Sequence, residues 1–228
     1  MELTIHPIAL GVTNCYIIRH EGMILIDSGV PKKVGSFKKA LDKLNISADE
    51  IQLILITHAH WDHIGSAKEI KELTGAKLAL HYNEKEWLEK SAIHIPPGVT
   101  RWGCTFSKIM SLLTKNMKIK SARVDITLTD NDFPLADWGI PGKIIYTPGH
   151  SPGSVSLLLD SGDAFVGDLA MNAFPMRFSP GLPIFADSLK IVKESWKLLL
   201  NRGAKVVYPA HGKPFSTEVI KKILSQNK

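Results

Sequence analysis

Five short apolar runs in this 228-residue chain lead directly into residues that bind metals or carry acid–base chemistry, and no other feature constrains the fold as much. Met23 to Ile26 leads into Asp27-Ser28-Gly29, and Ile51 to Ile56 into Thr57-His58. Ile144 to Tyr146 leads into Thr147-Pro148-Gly149-His150, Ala164 to Gly167 into Asp168, and Val206 to Ala210 into His211. Each run has the length and composition of a buried strand closed by turn-forming residues. Taken singly, polar residues at strand ends are ordinary turn chemistry. Taken together, they describe an α/β chain whose strands deliver ligand-type side chains to loops that can converge on one site.

The densest of these loops is Thr57-His58-Ala59-His60-Trp61-Asp62-His63, which places three imidazoles and a carboxylate within six positions. Imidazole nitrogen and carboxylate oxygen are the donors that Zn²⁺ and its first-row neighbours take, so the cluster points to a metal site.

Periodicity fills in the elements. Strands are expected at Leu3 to Ile8, Cys15 to Arg19, Met23 to Ile26, Ile51 to Ile56, Lys77 to Leu80, Ile126 to Leu128, Lys143 to Tyr146, Val155 to Leu159, Ala164 to Val166 and Lys205 to Val207. Helices are expected at Val34 to Leu44, at Ile64 to Leu73 with Gly75 closing it, at Ser188 to Asn201 capped by Asp187 and ended by Gly203, and after Thr217. Residues 82–123 read as a helical insertion. Asn83 and Glu86 resemble a capping box before Trp87 and Leu88, and Phe106, Ile109, Met110, Leu113 and Met117 recur at helical spacing. That stripe is open to three readings: ordinary core, a lid, or a dimer surface. In the lid reading Trp87, Trp102 and Phe106 touch an apolar substrate. A second candidate wall, Met171 to Phe185, carries Phe174, Met176, Phe178 and Arg177, whose guanidinium could pair with a substrate carboxylate.

With 44% hydrophobic and 22% charged residues, the chain is expected to be one globular domain spanning 1–228. The start of the chain has no signal-peptide pattern and no apolar run approaches membrane-spanning length, so a cytoplasmic location without a membrane partner is expected. Cys15 and Cys104 are far apart, outside any Cys-x-x-Cys, and read as free packing thiols. The net charge of +6 comes from lysines dispersed along the chain, which argues against a nucleic-acid partner.

The order Asp27, His58-x-His60-x-Asp62-His63, His150, Asp168, His211 resembles the metallo-β-lactamase superfamily, over about residues 2–215. The resemblance implies an α/β fold, a four-layer αβ/βα sandwich, with a dinuclear metal site at one edge of its sheets. It assigns His58, His60 and His150 to one metal and Asp62, His63 and His211 to the second, with Asp168 bridging and Asp27 orienting the loop and a ligand. Two divalent ions, zinc by default and iron or manganese as alternatives, would share a hydroxide as nucleophile. Asp62 would also orient that hydroxide and so act in catalysis.

Within that family the chain departs from several branches. From Asp168 and a start without a signal pattern, antibiotic hydrolysis is not expected, and from the short tail after His211 no glutathione-gripping domain is expected. Met171 stands where some lactonases carry tyrosine, and Met171-Asn172-Ala173-Phe174 replaces the Gly-Cys-Gly-Arg of persulfide dioxygenases. The expectation is a stand-alone dinuclear hydrolase of a small carboxylic ester, thioester or lactone. A metal-dependent nuclease or phosphodiesterase and a non-catalytic metal-binding module are the alternatives.

Overall fold

Strands β1 (Thr4–Ala9), β2 (Asn14–Arg19), β3 (Met23–Ile26), β4 (Leu53–Leu55), β5 (Lys77–His81) and β6 (Ile126–Leu128) hydrogen-bond side by side in chain order. The first two pairings are antiparallel and the last three parallel. β3 and β4 are buried at every position, which is why their sequences are unbroken apolar runs rather than alternating ones. Because they are parallel neighbours in register, with Ile26 opposite Leu55, the loops that follow them leave the same edge of the sheet. Helices α1 (Val34–Leu44), α2 (Trp61–Ile64), α3 (Ala67–Thr74) and α4 (Tyr82–Glu89) accompany this sheet, whereas the two-residue strand β7 (Phe133–Pro134), which follows in the chain, is not part of it. Phe37, Leu41, Ile70 and Leu88 bring α1, α3 and α4 into the core built on Leu25, Ile54, Leu78 and Leu80.

These elements belong to one of two compact units in the computed structural model, which describes residues 2–226. The first unit comprises the residues up to His94 with Lys118–Pro141, and the second Ile95–Met117 with the residues from Gly142 onward. The second unit holds α5 (Arg101–Thr114), β8 (Gly142–Tyr146), β9 (Val155–Leu159), β10 (Asp163–Gly167), α6 (Leu189–Asn201), β11 (Val206–Pro209), β12 (Phe215–Ser216) and α7 (Glu218–Ser225). Its strands run in the order β12-β11-β10-β9-β8, with only β10 and β11 parallel. That parallel pair sends Asp168 and His211 out from one sheet edge. Val192, Trp196 and Leu199 of α6 pack on Leu158, Val166 and Val207, and the Trp196 indole donates to the Leu169 carbonyl at 2.9 Å.

Three boundaries differ from expectation for identifiable reasons. The single helix expected at Ile64 to Leu73 is two, α2 and α3, because Gly65 and Ser66 hold the loop after β3. The Gly65 N–H donates to the Gly29 carbonyl at 2.9 Å and Ser66 Oγ to the Val30 carbonyl at 2.7 Å, and a Cβ on Gly65 would stand 2.3 Å from Pro31 N. Asn83 and Glu86 form no capping box. β5 continues one residue further than expected, so His81 caps α4 by accepting from the Asn83 N–H, and Glu86 pairs with Lys90 at 2.7 Å. On α6 the cap is Ser188, not Asp187: Ser188 accepts from the Ile191 N–H, while the Asp187 N–H is held by the His150 carbonyl. Cys15 is buried, but Cys104 is exposed on α5 rather than packed; both thiols are free. Among the described residues no helix is long and apolar enough to cross a membrane.

Candidate metal centre

In the first unit the donors gather around Asp27. This residue sits in the left-handed region at φ 60°, an uncommon conformation for a residue other than glycine that Asp tolerates better than most. The Asp27 N–H donates to the Leu55 carbonyl at 2.8 Å, which ties the loop after β3 to the end of β4. The Asp27 carboxylate, almost fully buried, accepts from the Thr57 N–H at 2.8 Å and from the Thr57 hydroxyl at 2.9 and 3.0 Å, and pairs with His63 Nδ1 at 2.8 Å. An ionised carboxylate only accepts, so Nδ1 of His63 carries the proton. The Thr57 hydroxyl has likewise given its hydrogen to Asp27 and therefore accepts from His58 Nδ1, 3.1 Å away. One carboxylate thus sets two imidazoles, His63 directly and His58 through Thr57, with Nε2 of each left as the lone-pair donor.

The rest of the cluster is held as firmly. His60 precedes α2, and Asp62 and His63 lie in its single turn. Thr13 Oγ1 donates to the Asp62 carbonyl at 2.8 Å. Asp62 Oδ2 stands 3.9 Å from His63 Nε2, and donor atoms of His58 and His60 lie within 4.8 Å of each other. The Ala59 N–H donates to the buried carboxylate of Glu84 on α4, and the His60 ring stacks loosely on Trp87 at 6.3 Å, with His94 on Trp87 at 3.7 Å. Burial first, then Asp27 and Asp62, push the Cys15 thiol well above its ordinary range, so Cys15 is an inert packing residue.

In the second unit the donors gather around Asp168. Its Oδ2 lies 3.6 Å from His150 Nε2 and its Oδ1 3.3 Å from His211 Nε2, so each oxygen of one buried carboxylate faces a different imidazole. His150 Nδ1 donates to the Phe185 carbonyl at 2.8 Å, which fixes Nε2 as its donor atom. Gly149, at φ 127°, lets the loop pass close to α6, where a Cβ would meet Val192 N at 2.4 Å. The Ala210 N–H donates to the Gly167 carbonyl at 3.0 Å and locks the loop after β11 to the end of β10. Arg177 is not available to a substrate: its donors hold the Ser179 and Leu182 carbonyls at 3.0 and 2.7 Å, and burial lowers its pKa.

Asp27, His58, His60, Asp62 and His63 therefore meet in one unit, and His150, Asp168 and His211 in the other. Sequence reading missed Thr13, Glu84 and the Phe185 carbonyl. Thr13 and the Phe185 carbonyl act across long separations that no local pattern marks, whereas an acidic residue in the first turn of α4 was a visible, if unspecific, signal. The sequence of residues 8–211 matches the family model of the metallo-β-lactamase superfamily. The chain belongs to that superfamily. It is 26% identical over 167 residues to the probable metallo-hydrolase YflN of Bacillus subtilis, covering 71% of this chain and 62% of that protein, less than two thirds of its length. It is 28% identical over 221 residues to a metallo-β-lactamase fold-containing protein of Sulfurisphaera tokodaii, covering 94% and 78% of the two chains. The solved structure of that archaeal superfamily protein matches with a TM-score of 0.67 at 26% identity, over 97% of this chain and 85% of that one. The B3 metallo-β-lactamase BLEG-1 matches in fold, with a TM-score of 0.69 at 22% identity over 98% of both chains. The fold is accordingly the αβ/βα sandwich of the superfamily, and the superfamily is one of metallo-hydrolases.

Proposed function

We propose that the two donor clusters are the two halves of one dinuclear metal site, and that the protein hydrolyses a small carboxylic ester, thioester or lactone with an apolar portion. One observation carries this reading: Asp168 turns its two oxygens toward two different imidazole nitrogens, at 3.6 and 3.3 Å. Donor atoms sharing a tetrahedral zinc at 2.0–2.1 Å stand roughly 3.3 Å apart, so both separations suit a cation held between carboxylate and imidazole. The donor set fits the same ion, since His58, His63 and His150 have their Nδ1 protons engaged and offer neutral Nε2 lone pairs. In this assignment His58, His60 and His150 would hold one ion and Asp62, His63 and His211 the other, with Asp168 shared between them.

Bound, the ions supply Lewis acidity and bring the pKa of a water in the site toward about 7. The protein supplies the placement. Asp27 and Thr57 keep two imidazoles in the ligating tautomer, Glu84 anchors the backbone between His58 and His60, and Asp62, steadied by Thr13, accepts a hydrogen bond from the attacking water. Neither Ser151 nor Cys15 is assigned as nucleophile: Ser151, beside His150, is bonded to Ser154 Oγ at 2.7 Å, and Cys15 is held as a thiol.

A substrate panel on metal-loaded protein tests the assignment: aryl and alkyl esters, acyl thioesters, homoserine lactones of several chain lengths, a β-lactam, a phosphodiester and a tRNA precursor. Turnover of acyl substrates beyond the activated aryl esters is expected. Turnover of the phosphodiester or RNA alone would replace the acyl reading with the nuclease reading, and no turnover at all by protein carrying its metals would leave a binding module.

A further inference from the structure

Helix α5 is built with its polarity reversed. The positions that meet the rest of its unit are small or polar: Gly103 and Thr114 are buried, and a Cβ on Gly103 would lie 2.2 Å from the Ile184 carbonyl oxygen, so the helix docks by close backbone approach. Its large apolar side chains face outward, with Trp102 46%, Ile109 43%, Leu112 76% and Leu113 69% exposed. Phe106, packed with Met171 and Phe185, turns inward from the apolar stripe, and Met110 is half-buried. The surface continues beyond the helix. The Trp102 indole donates to the Pro175 carbonyl at 3.1 Å, and Phe174 and Phe178, 75% and 90% exposed, pair at 5.5 Å on that neighbouring segment. An apolar face of this extent marks an interaction site rather than scattered surface residues.

Charge identifies what the face meets. Residues 95–117 contain Arg101, Lys108 and Lys115 and no acidic residue, and residues 171–185 add Arg177 and again no acid. All three cations of the α5 stretch are exposed, and none has an acidic partner among the described residues. A second copy is disfavoured, because a two-fold contact would bring the same cations together without an anion to offset them. A stripe of Trp, Ile and Leu edged by Arg and Lys on a helix too short to span a bilayer is the pattern of a helix lying in the headgroup plane. We propose that α5, with the Phe174–Phe178 segment beside it, docks on the surface of an anionic phospholipid bilayer: apolar side chains enter the acyl boundary while Arg101, Lys108 and Lys115 meet lipid phosphates. The sequence alone gave no reason to expect a membrane partner; the outward direction of the apolar side chains supplies it.

Flotation of the intact protein with vesicles of phosphatidylcholine, with and without phosphatidylglycerol, tests the proposal. Binding is expected to the mixed vesicles and not to phosphatidylcholine alone, and it should weaken as KCl is raised. Leu112→Ser combined with Leu113→Ser should lower partitioning at least about tenfold, with the melting temperature unchanged because both side chains are already exposed. Lys108→Gln combined with Lys115→Gln should also lower it about tenfold or more without touching the apolar stripe, which keeps the test valid should the leucine variant fold poorly. Lys197→Gln, a cation on α6 already paired with Glu194 at 2.9 Å, should leave it unchanged. Absence of binding to the mixed vesicles would overturn the proposal. So would binding that ignores both double variants, or sedimentation equilibrium showing a dimer that the leucine variant dissociates.

Discussion

At the scale of single residues, Asp27 is the position on which most depends. It accepts from Thr57, holds His63 and, through the Thr57 hydroxyl, sets His58. Asp27→Asn keeps a side chain that tolerates φ 60° but ends the charged contact with His63, and metal affinity should fall roughly 10–100-fold while the fold persists. Titration with a metal buffer measures this, and unchanged affinity would mean the His63 tautomer is set elsewhere. Asp168→Ala should remove one ion and lower turnover by about 10² or more, whereas Ser151→Ala should keep most activity. The ligand-type residues were legible in the sequence because they stand beside one another or at strand ends. Thr13 and the Phe185 carbonyl were not, since a hydroxyl 49 positions from its partner, or a backbone oxygen 35 positions away, leaves no local pattern.

At the scale of elements, the buried parallel strands β3 and β4 read directly from their apolar runs, and Gly75 ends α3 in the left-handed conformation as its position predicted. What local pattern could not supply was where tertiary bonds override it, as at Gly65 and Ser66 between α2 and α3. The caps are testable. Ser188→Ala removes the side-chain acceptor for the Ile191 N–H and should cost about 1 kcal/mol in urea unfolding. His81 caps α4 through a neutral ring, with Nε2 facing Asp130 Oδ1 at 3.2 Å; burial lowers its pKa more than Asp130 raises it. The unfolded chain therefore binds this proton more readily than the folded one. Stability from His81 is complete above the ordinary histidine pKa of about 6.5 and declines as pH falls through it. Urea midpoints at several pH values should show a steeper acid-side decline for the parent than for His81→Asn, which keeps a capping acceptor; parallel curves would remove His81 from the pH response.

At the scale of the whole molecule, superfamily membership was legible in the spacing of eight ligand-type residues from Asp27 to His211, because the chemistry of metal binding restricts which side chains serve. The surface was read less well. Sequence periodicity groups Phe106, Ile109, Met110 and Leu113 on one stripe, yet only the packing shows that Ile109 and Leu113 face outward while Phe106 joins the core. Ions binding only the folded chain should stabilise it, by about 2.7 kcal/mol at a hundred times the dissociation constant. A chelator should lower the melting temperature, and added Zn²⁺ should restore it. The most direct measurement is elemental analysis of the purified protein after supplementation with Zn²⁺, beside Asp168→Ala treated identically. Close to two metal ions per chain are expected in the parent and fewer in the variant; one ion or less in the parent, or equal content in both, would contradict a dinuclear site bridged by Asp168.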